Sequence, residues 1–291
     1  MRRAPAGACR LLALAACVAV AASVPKHPPL PADIYPFITL VANKELPLCT
    51  GALVAPRAVL TAASCAKAKP SFAFVGAHNF FLDSFRREGK YEIQKVERVE
   101  VHPDFDSSDL NQHNLALLVL KRSVVGHHPV SLAGANFTHP VKSAAVRALG
   151  FGSLSADGFF PQLHADELTL LPEEECGGLQ TAYGRWWAAT PANAAAGHEA
   201  CTGLSHAFRA CAAGNVGAPL LLPRGAPDGG PLQLGLLTSG FACSTDPAVA
   251  SASSPALYTW LPRYTEWIGK QLRQVAEEDA EARKKWAAGR Q

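Results

Sequence analysis

Six residues, Gly214-Asn215-Val216-Gly217-Ala218-Pro219, make a glycine-framed turn that leads into the apolar run Leu220-Leu221-Leu222. Such a turn is usually an ordinary strand connection, and it can also present a nucleophile. The side chain at its centre decides what chemistry is open. Val216 carries an isopropyl group, with no lone pair to attack a carbonyl and no proton for a base to remove, so covalent acyl transfer through this position is excluded. The serine nearest to it is Ser205, on the far side of Cys211.

Metal chemistry is not signalled either. The ten histidines include the adjacent pair His127-His128, but no cysteine pair has the short spacing of a metal knuckle. Loop histidines of this kind are read as solvated, and no metal and no cofactor is assigned.

The elements that must position these residues read as all-β. Short β-branched and aromatic runs, Phe37–Val41, Phe72–Val75, Val96–Val101 and Leu232–Leu237, recur between clusters of Gly, Pro, Asp and Asn. With 291 residues and 48% apolar content, the chain can build one double-barrel unit or two small domains. A net charge of +3 is too small to call for nucleic acid or an anionic membrane.

Residues 1–23 have a basic start, the apolar stretch Leu11–Ser23 and small residues at the end, and are expected to be a secretory signal peptide rather than a membrane span. Residues 24–31 are Pro-rich and read as an extended strap. Of eight cysteines, Cys9 and Cys17 leave with the leader. The even set Cys49, Cys65, Cys176, Cys201, Cys211 and Cys243 remains for disulfides, with the pairing left open. Asn136-Phe137-Thr138 is an N-glycosylation sequon expected on the surface. Residues 270–291 read as a charged helix in which Asp279 with Arg283 and Glu281 with Lys285 are favourable pairs four apart. A solvated, fraying helix is the simpler expectation; a partner-binding helix anchored by Trp286 is the other.

Three stretches together resemble the trypsin-like serine proteases. Val59-Leu-Thr-Ala-Ala-Ser-Cys65 is similar to the segment of that family that carries the catalytic histidine. Asn114-Leu-Ala-Leu-Leu-Val-Leu120 is similar to the segment with the catalytic aspartate, and Gly214–Pro219 to the Gly-Asp-Ser-Gly-Gly-Pro loop, in the family's order. The resemblance spans about residues 32–269 and implies two packed six-stranded antiparallel β-barrels with a C-terminal α-helix. Phe151 falls at the Trp-Gly turn that opens the second barrel. The resemblance also implies bridges Cys49–Cys65, Cys176–Cys201 and Cys211–Cys243.

By the same correspondence, Ser64, Asn114 and Val216 stand where the base, the carboxylate and the nucleophile should be. A hydroxyl cannot serve as a base near neutral pH, and a neutral amide cannot stabilise an imidazolium, so each substitution disables a separate role. His113 is the nearest histidine, beside the carboxylate position. Gly214, Asn215 and Val216 are the remnants of the oxyanion loop. The family's cleaved Ile-Val-Gly-Gly terminus is missing from Pro31–Leu40, and Asn215 lacks the charge to pair with such a terminus, so the chain is expected to fold directly, without zymogen cleavage. Arg209, Thr238, Gly240 and Ala256 fall at the specificity pocket. Arg209 either fills its base or points to solvent.

The expected function is therefore that of a secreted, catalytically inactive homologue that binds an extracellular protein, as a cofactor or decoy in a proteolytic or immune cascade. The Thr-Ala-Ala-Ser-Cys segment is also similar to that of inactive azurocidin-type homologues, which adds weak anionic-glycan binding as a secondary expectation. The competing class is a working serine endopeptidase whose triad is formed by other residues. A serine, a histidine and a carboxylate converging in space would favour it.

Overall fold

The computed structural model describes residues 30, 34–44, 47–78, 91–108, 112–140, 142–152, 159–176, 199–203, 214–240 and 256–288. The first barrel closes through β1 (Ile38–Ala42), β2 (Pro47–Ala55), β3 (Ala58–Thr61), β4 (Phe72–Val75), β5 (Glu92–Val101) and β6 (Ala116–Leu120), in the spatial order β1-β2-β3-β6-β5-β4. Every neighbouring pair is antiparallel, and β1 pairs with both β2 and β4, so no edge is left open. Strands β1, β3 and β6 are buried along their whole length, which is why they read as apolar runs broken only by Thr39 and Thr61 and not as alternating ones.

The second barrel is a ring of β8 (Ala144–Gly152), β9 (Phe159–Leu170), β10 (Glu199–Thr202), β13 (Ala256–Trp260), β12 (Leu232–Gly240) and β11 (Pro219–Leu222). It closes where β11 pairs with both β12 and β8. The two-residue β7 (Ser131–Leu132) lies outside the ring and pairs parallel to β12, an addition to the all-antiparallel expectation. Trp260, Tyr258 and Phe151 are among the largest fully buried side chains. Burial of this kind contributes about 1.5–3 kcal/mol for each large apolar side chain. The sequon asparagine Asn136 is exposed, while its neighbour Phe137 packs toward Trp260.

A short 3-10 turn (Leu261–Tyr264), opened by Pro262 where a missing N–H costs nothing, leads into one continuous helix, α2 (Thr265–Ala288). A four-residue helix, α1 (Ala63–Ala66), follows β3. The charged tail does not behave as a solvated extension through its first half. Ile268, Leu272 and Val275 form a stripe against the first-barrel core. One turn on, Asp279 joins the same face and bonds Arg57 of the β2–β3 connection, not the Arg283 four residues ahead of it. Arg57 also donates to the Leu120 carbonyl at 2.8 Å and to Glu97 at 2.7 Å, and Arg98 donates to Glu278 at 2.8 Å. The side chain of Trp286 lies outside the described residues.

Because Arg57 is only 13% exposed and ties the helix to the end of β6, where it donates to the Leu120 carbonyl and accepts the Leu120 N–H, it is worth more than a surface ion pair. Replacing it by Ala leaves the Asp279 carboxylate without its cation. We expect Arg57→Ala to cost about 2–3 kcal/mol. It should also hasten proteolytic nicking in α2, both followed by thermal denaturation and limited proteolysis. An unchanged melting point would show the helix docks by its apolar stripe alone.

Candidate functional site

The three positions at which a triad would stand are brought to one place where the barrels meet. Strand β3 delivers Ser64 at the start of α1, the turn before β6 delivers Asn114, and the turn before β11 delivers Val216. The Ser64 backbone N–H donates to Asn114 Oδ1 at 2.9 Å. The Val216 carbonyl accepts from the Thr50 backbone N–H at 2.9 Å and lies 3.8 Å from Cys65 Sγ. The Cys49–Cys65 disulfide, with Cα atoms 6.2 Å apart, holds the two flanking segments together.

The Gly214–Pro219 turn is fixed by bonds to both barrels. Thr50 Oγ1 donates to the Gly214 carbonyl at 2.5 Å, and Gly217 N–H donates to the Leu237 carbonyl at 2.8 Å. Gly217 has φ +83°, and a Cβ there would lie 2.3 Å from both the Thr50 carbonyl oxygen and Thr61 Oγ1. Only glycine fits so close an approach in this conformation. Asn215 is buried, and its amide rests against the backbone of Gly150, where an added Cβ would meet Oδ1 at 2.1 Å. The side chain that takes the place of the family's charged residue is thus packed as a neutral amide between β8 and the turn.

Chemically the three side chains offer little. Asn114 is fully buried, its backbone carbonyl accepts from Thr259 Oγ1 at 3.4 Å and its Oδ1 accepts the Ser64 N–H, so its amide is positioned but uncharged. Ser64 Oγ is buried and has no hydrogen-bond partner among the described residues. An activated serine would instead be bonded to a base. Val216 is half-buried and packs against the first-barrel core. The arrangement can hold a backbone amide against an amide oxygen, and can fill the cleft floor with methyl groups. None of these three side chains is a base near neutral pH.

His113, the nearest histidine in sequence, does not face Ser64. It adopts φ +48°, so that it and Asn114 point to different places from adjacent positions. Asn114 reaches Ser64, while the His113 ring lies against His102, 5.0 Å away and nearly parallel. Tyr264 meets both rings edge-on, at 5.3 and 5.8 Å. Burial pushes the Tyr264 phenol well above its ordinary range. His102, Asp104 and His113 together form a cluster of metal-ligating type, which sequence spacing concealed because the two histidines stand on opposite ends of the β5–β6 connection. The pair His127-His128 divides: His128 is exposed, and His127 is half-buried with its ring over Gly76.

Among the pocket positions, Thr238 is buried and donates to the Leu257 carbonyl at 3.1 Å, and Gly240 pairs with Ala256 across β12 and β13. Arg209, Cys211 and Cys243 lie outside the described residues. A second disulfide joins Cys176 to Cys201.

Comparison with known proteins covers the same span. The family model described as Trypsin matches residues 27–268. Human kallikrein-8 is 31% identical over 229 residues, covering 77% of this chain and 76% of the relative. Glucanase inhibitor protein 2 of Phytophthora sojae is 28% identical over 223 residues, covering 76% and 68%. Among solved structures, neuropsin, a serine protease expressed in the limbic system of mouse brain, superposes with a TM-score of 0.63 at 25% identity, covering 84% of this chain and 97% of that one. The secreted serine protease VesC from Vibrio cholerae gives a TM-score of 0.62 at 21% identity, a likeness of fold alone.

Proposed function

This chain belongs to the trypsin family, and from that premise we propose that it is a secreted, catalytically silent member that works by binding an extracellular protein. The role that fits is a cofactor or decoy in a proteolytic or immune cascade. The observation that carries this is Val216: where the family needs an attacking oxygen, the chain holds an isopropyl group packed on the core. Ser64 and Asn114 remove the base and its charged support independently, so restoring one group does not restore a pathway.

The intact frame supports a binding role. The two disulfides suit an oxidising, extracellular compartment. The exposed Asn136 suits a glycosylated surface. Loops carried on a rigid double barrel can recognise a partner without any reaction. Glucanase inhibitor protein 2 is by its name an inhibitor, and as a relative it favours binding as a use of this fold. Weak anionic-glycan binding is a secondary possibility on the same surface.

The folded protein, incubated with a fluorophosphonate probe, is expected to remain unlabelled while a working serine protease in the same tube is captured. Covalent labelling of any serine in this chain would overturn the proposal and leave a serine endopeptidase in its place.

A further inference from the structure

We propose that His102, Asp104 and His113 form a zinc site behind the cleft, at the base of the connection between β5 and β6. It is independent of whether the cleft is catalytic. One ligand atom from each of the three residues lies within 4.8 Å of the other two. Asp104 Oδ2 is 4.0 Å from His102 Nδ1, and the two imidazoles are 5.0 Å apart.

Two imidazoles and one carboxylate are a zinc ligand set, with water completing a tetrahedron; a site for calcium or magnesium would be built from oxygens. Zinc holds nitrogen and oxygen ligands at about 2.0–2.2 Å, so ligand atoms stand about 3.3 Å from each other in a tetrahedral site. The closing movement, with a turn of the His113 ring out of its parallel stack on His102, falls on the two residues able to make it. The Asp104 side chain is 70% exposed, and His113 is half-buried.

His102 is the fixed ligand. It is almost fully buried, with Tyr264 at 5.3 Å and Trp267 at 5.2 Å from its ring. The Asp104 backbone N–H donates to its Nδ1 at 3.3 Å, a long bond that zinc at this nitrogen would displace. The chain is shaped to deliver these groups. A turn closed by Phe105 N–H on the His102 carbonyl, at 3.0 Å and with Pro103 at its first corner, folds Asp104 back toward His102. The left-handed backbone at His113 turns its ring the same way, and His102 N–H donates to the Leu115 carbonyl at 3.1 Å, which keeps the two segments side by side. Zinc would therefore cross-link the two ends of one loop, and would fix the turn that carries Asn114.

The test is calorimetric titration of Zn2+ into the EDTA-treated full chain. We expect saturable one-site binding and a rise in melting temperature with zinc. Asp104→Asn and His113→Asn should each weaken binding roughly tenfold or more, at least the effect of losing an outer-sphere partner. They should also abolish the melting shift. Asn is chosen at position 113 because it tolerates the left-handed backbone. Asp104→Asn changes only an exposed side chain, so it separates ligation from folding. The double variant His127→Ala/His128→Ala should bind as the parent does. With Co2+ as the probe, the parent should show the d–d absorption of a tetrahedral site. Zinc affinity unchanged in Asp104→Asn and His113→Asn, or no saturable binding by the parent, would overturn the site.

Discussion

The triple variant Ser64→His/Asn114→Asp/Val216→Ser is expected to be captured by a fluorophosphonate that leaves the parent untouched, whereas each single reversion stays silent. The reason lies in how the positions are already held. Asn114 Oδ1 accepts the Ser64 N–H at 2.9 Å, so an aspartate there would keep that bond and offer its second oxygen to an imidazole at position 64. A serine at position 216 without that imidazole has no base, and incomplete triads fall short of complete ones by about ten-thousandfold or more. Capture is expected to be slow even in the triple variant, because neutral Asn215 cannot make the ion pair that orders the family's oxyanion loop.

The same series has a stability signature. Asn114 is fully buried, so Asn114→Asp alone places a carboxylate in the interior with no cation, at a cost of about 3 kcal/mol near neutral pH that fades in acid as the carboxyl protonates. Adding Ser64→His should return part of that loss, a coupling of about 1–3 kcal/mol in a double-mutant cycle. Labelling of Val216→Ser alone would mean that another base serves the cleft. A folded triple variant that stays silent would mean that the obstacle is the turn itself and not its three missing groups.

Gly217→Ala is expected to be among the most damaging single methyl groups that can be added to this protein. The new Cβ would stand 2.3 Å from a carbonyl oxygen of β2 and 2.3 Å from the buried hydroxyl of Thr61, and the backbone would have to hold φ +83°. The conformational penalty for a residue with a Cβ is about 1–2 kcal/mol. The clash adds to it, since Thr50 and Thr61 are themselves bonded at 2.8 Å and neither can retreat. A total above about 4 kcal/mol lowers the melting temperature by roughly 10 °C in a domain of this size. Gly134→Ala, where nothing lies within 4 Å of the added atom, should change stability by no more than about 0.5 kcal/mol. Similar melting points for the two variants would show that the turn before β11 is looser than described.

Much of the barrel frame was legible because its strands announce themselves. Phe72–Val75 is β4 to the residue, and Leu232–Leu237 lies inside β12, since β-branched and aromatic runs between turn residues have few other uses. The parallel β7 was not legible: two residues carry no period, and only the fold of the ring brings Ser131 beside Leu232. The helix told half its story. Its charge pattern suggested partners within the helix, but Asp279 found Arg57, more than 200 positions earlier, and a stripe of Trp267, Ile268, Leu272 and Val275 among so many charges does not stand out.

The site divides in the same way. Local motifs pointed to Ser64, Asn114 and Val216 as the places to look, because each stands inside a recognisable segment. Nothing local pointed to Thr50, whose amide bonds the Val216 carbonyl and whose hydroxyl bonds the Gly214 carbonyl 164 positions away. Contacts of this kind are set by closure of the barrel, and no window of sequence contains them.

The docking of α2 on Arg57 has a consequence for how the molecule is made. The amino-terminal barrel leaves the ribosome first, yet Leu272, Val275 and Asp279, which cover one side of it and neutralise its Arg57 guanidinium, are synthesised only after the second barrel. Until they emerge, that half waits incomplete, with apolar surface uncovered on the nascent chain. Ribosomes halted short of Asp279 should therefore carry a first barrel that proteases open readily, and extension through α2 should close it.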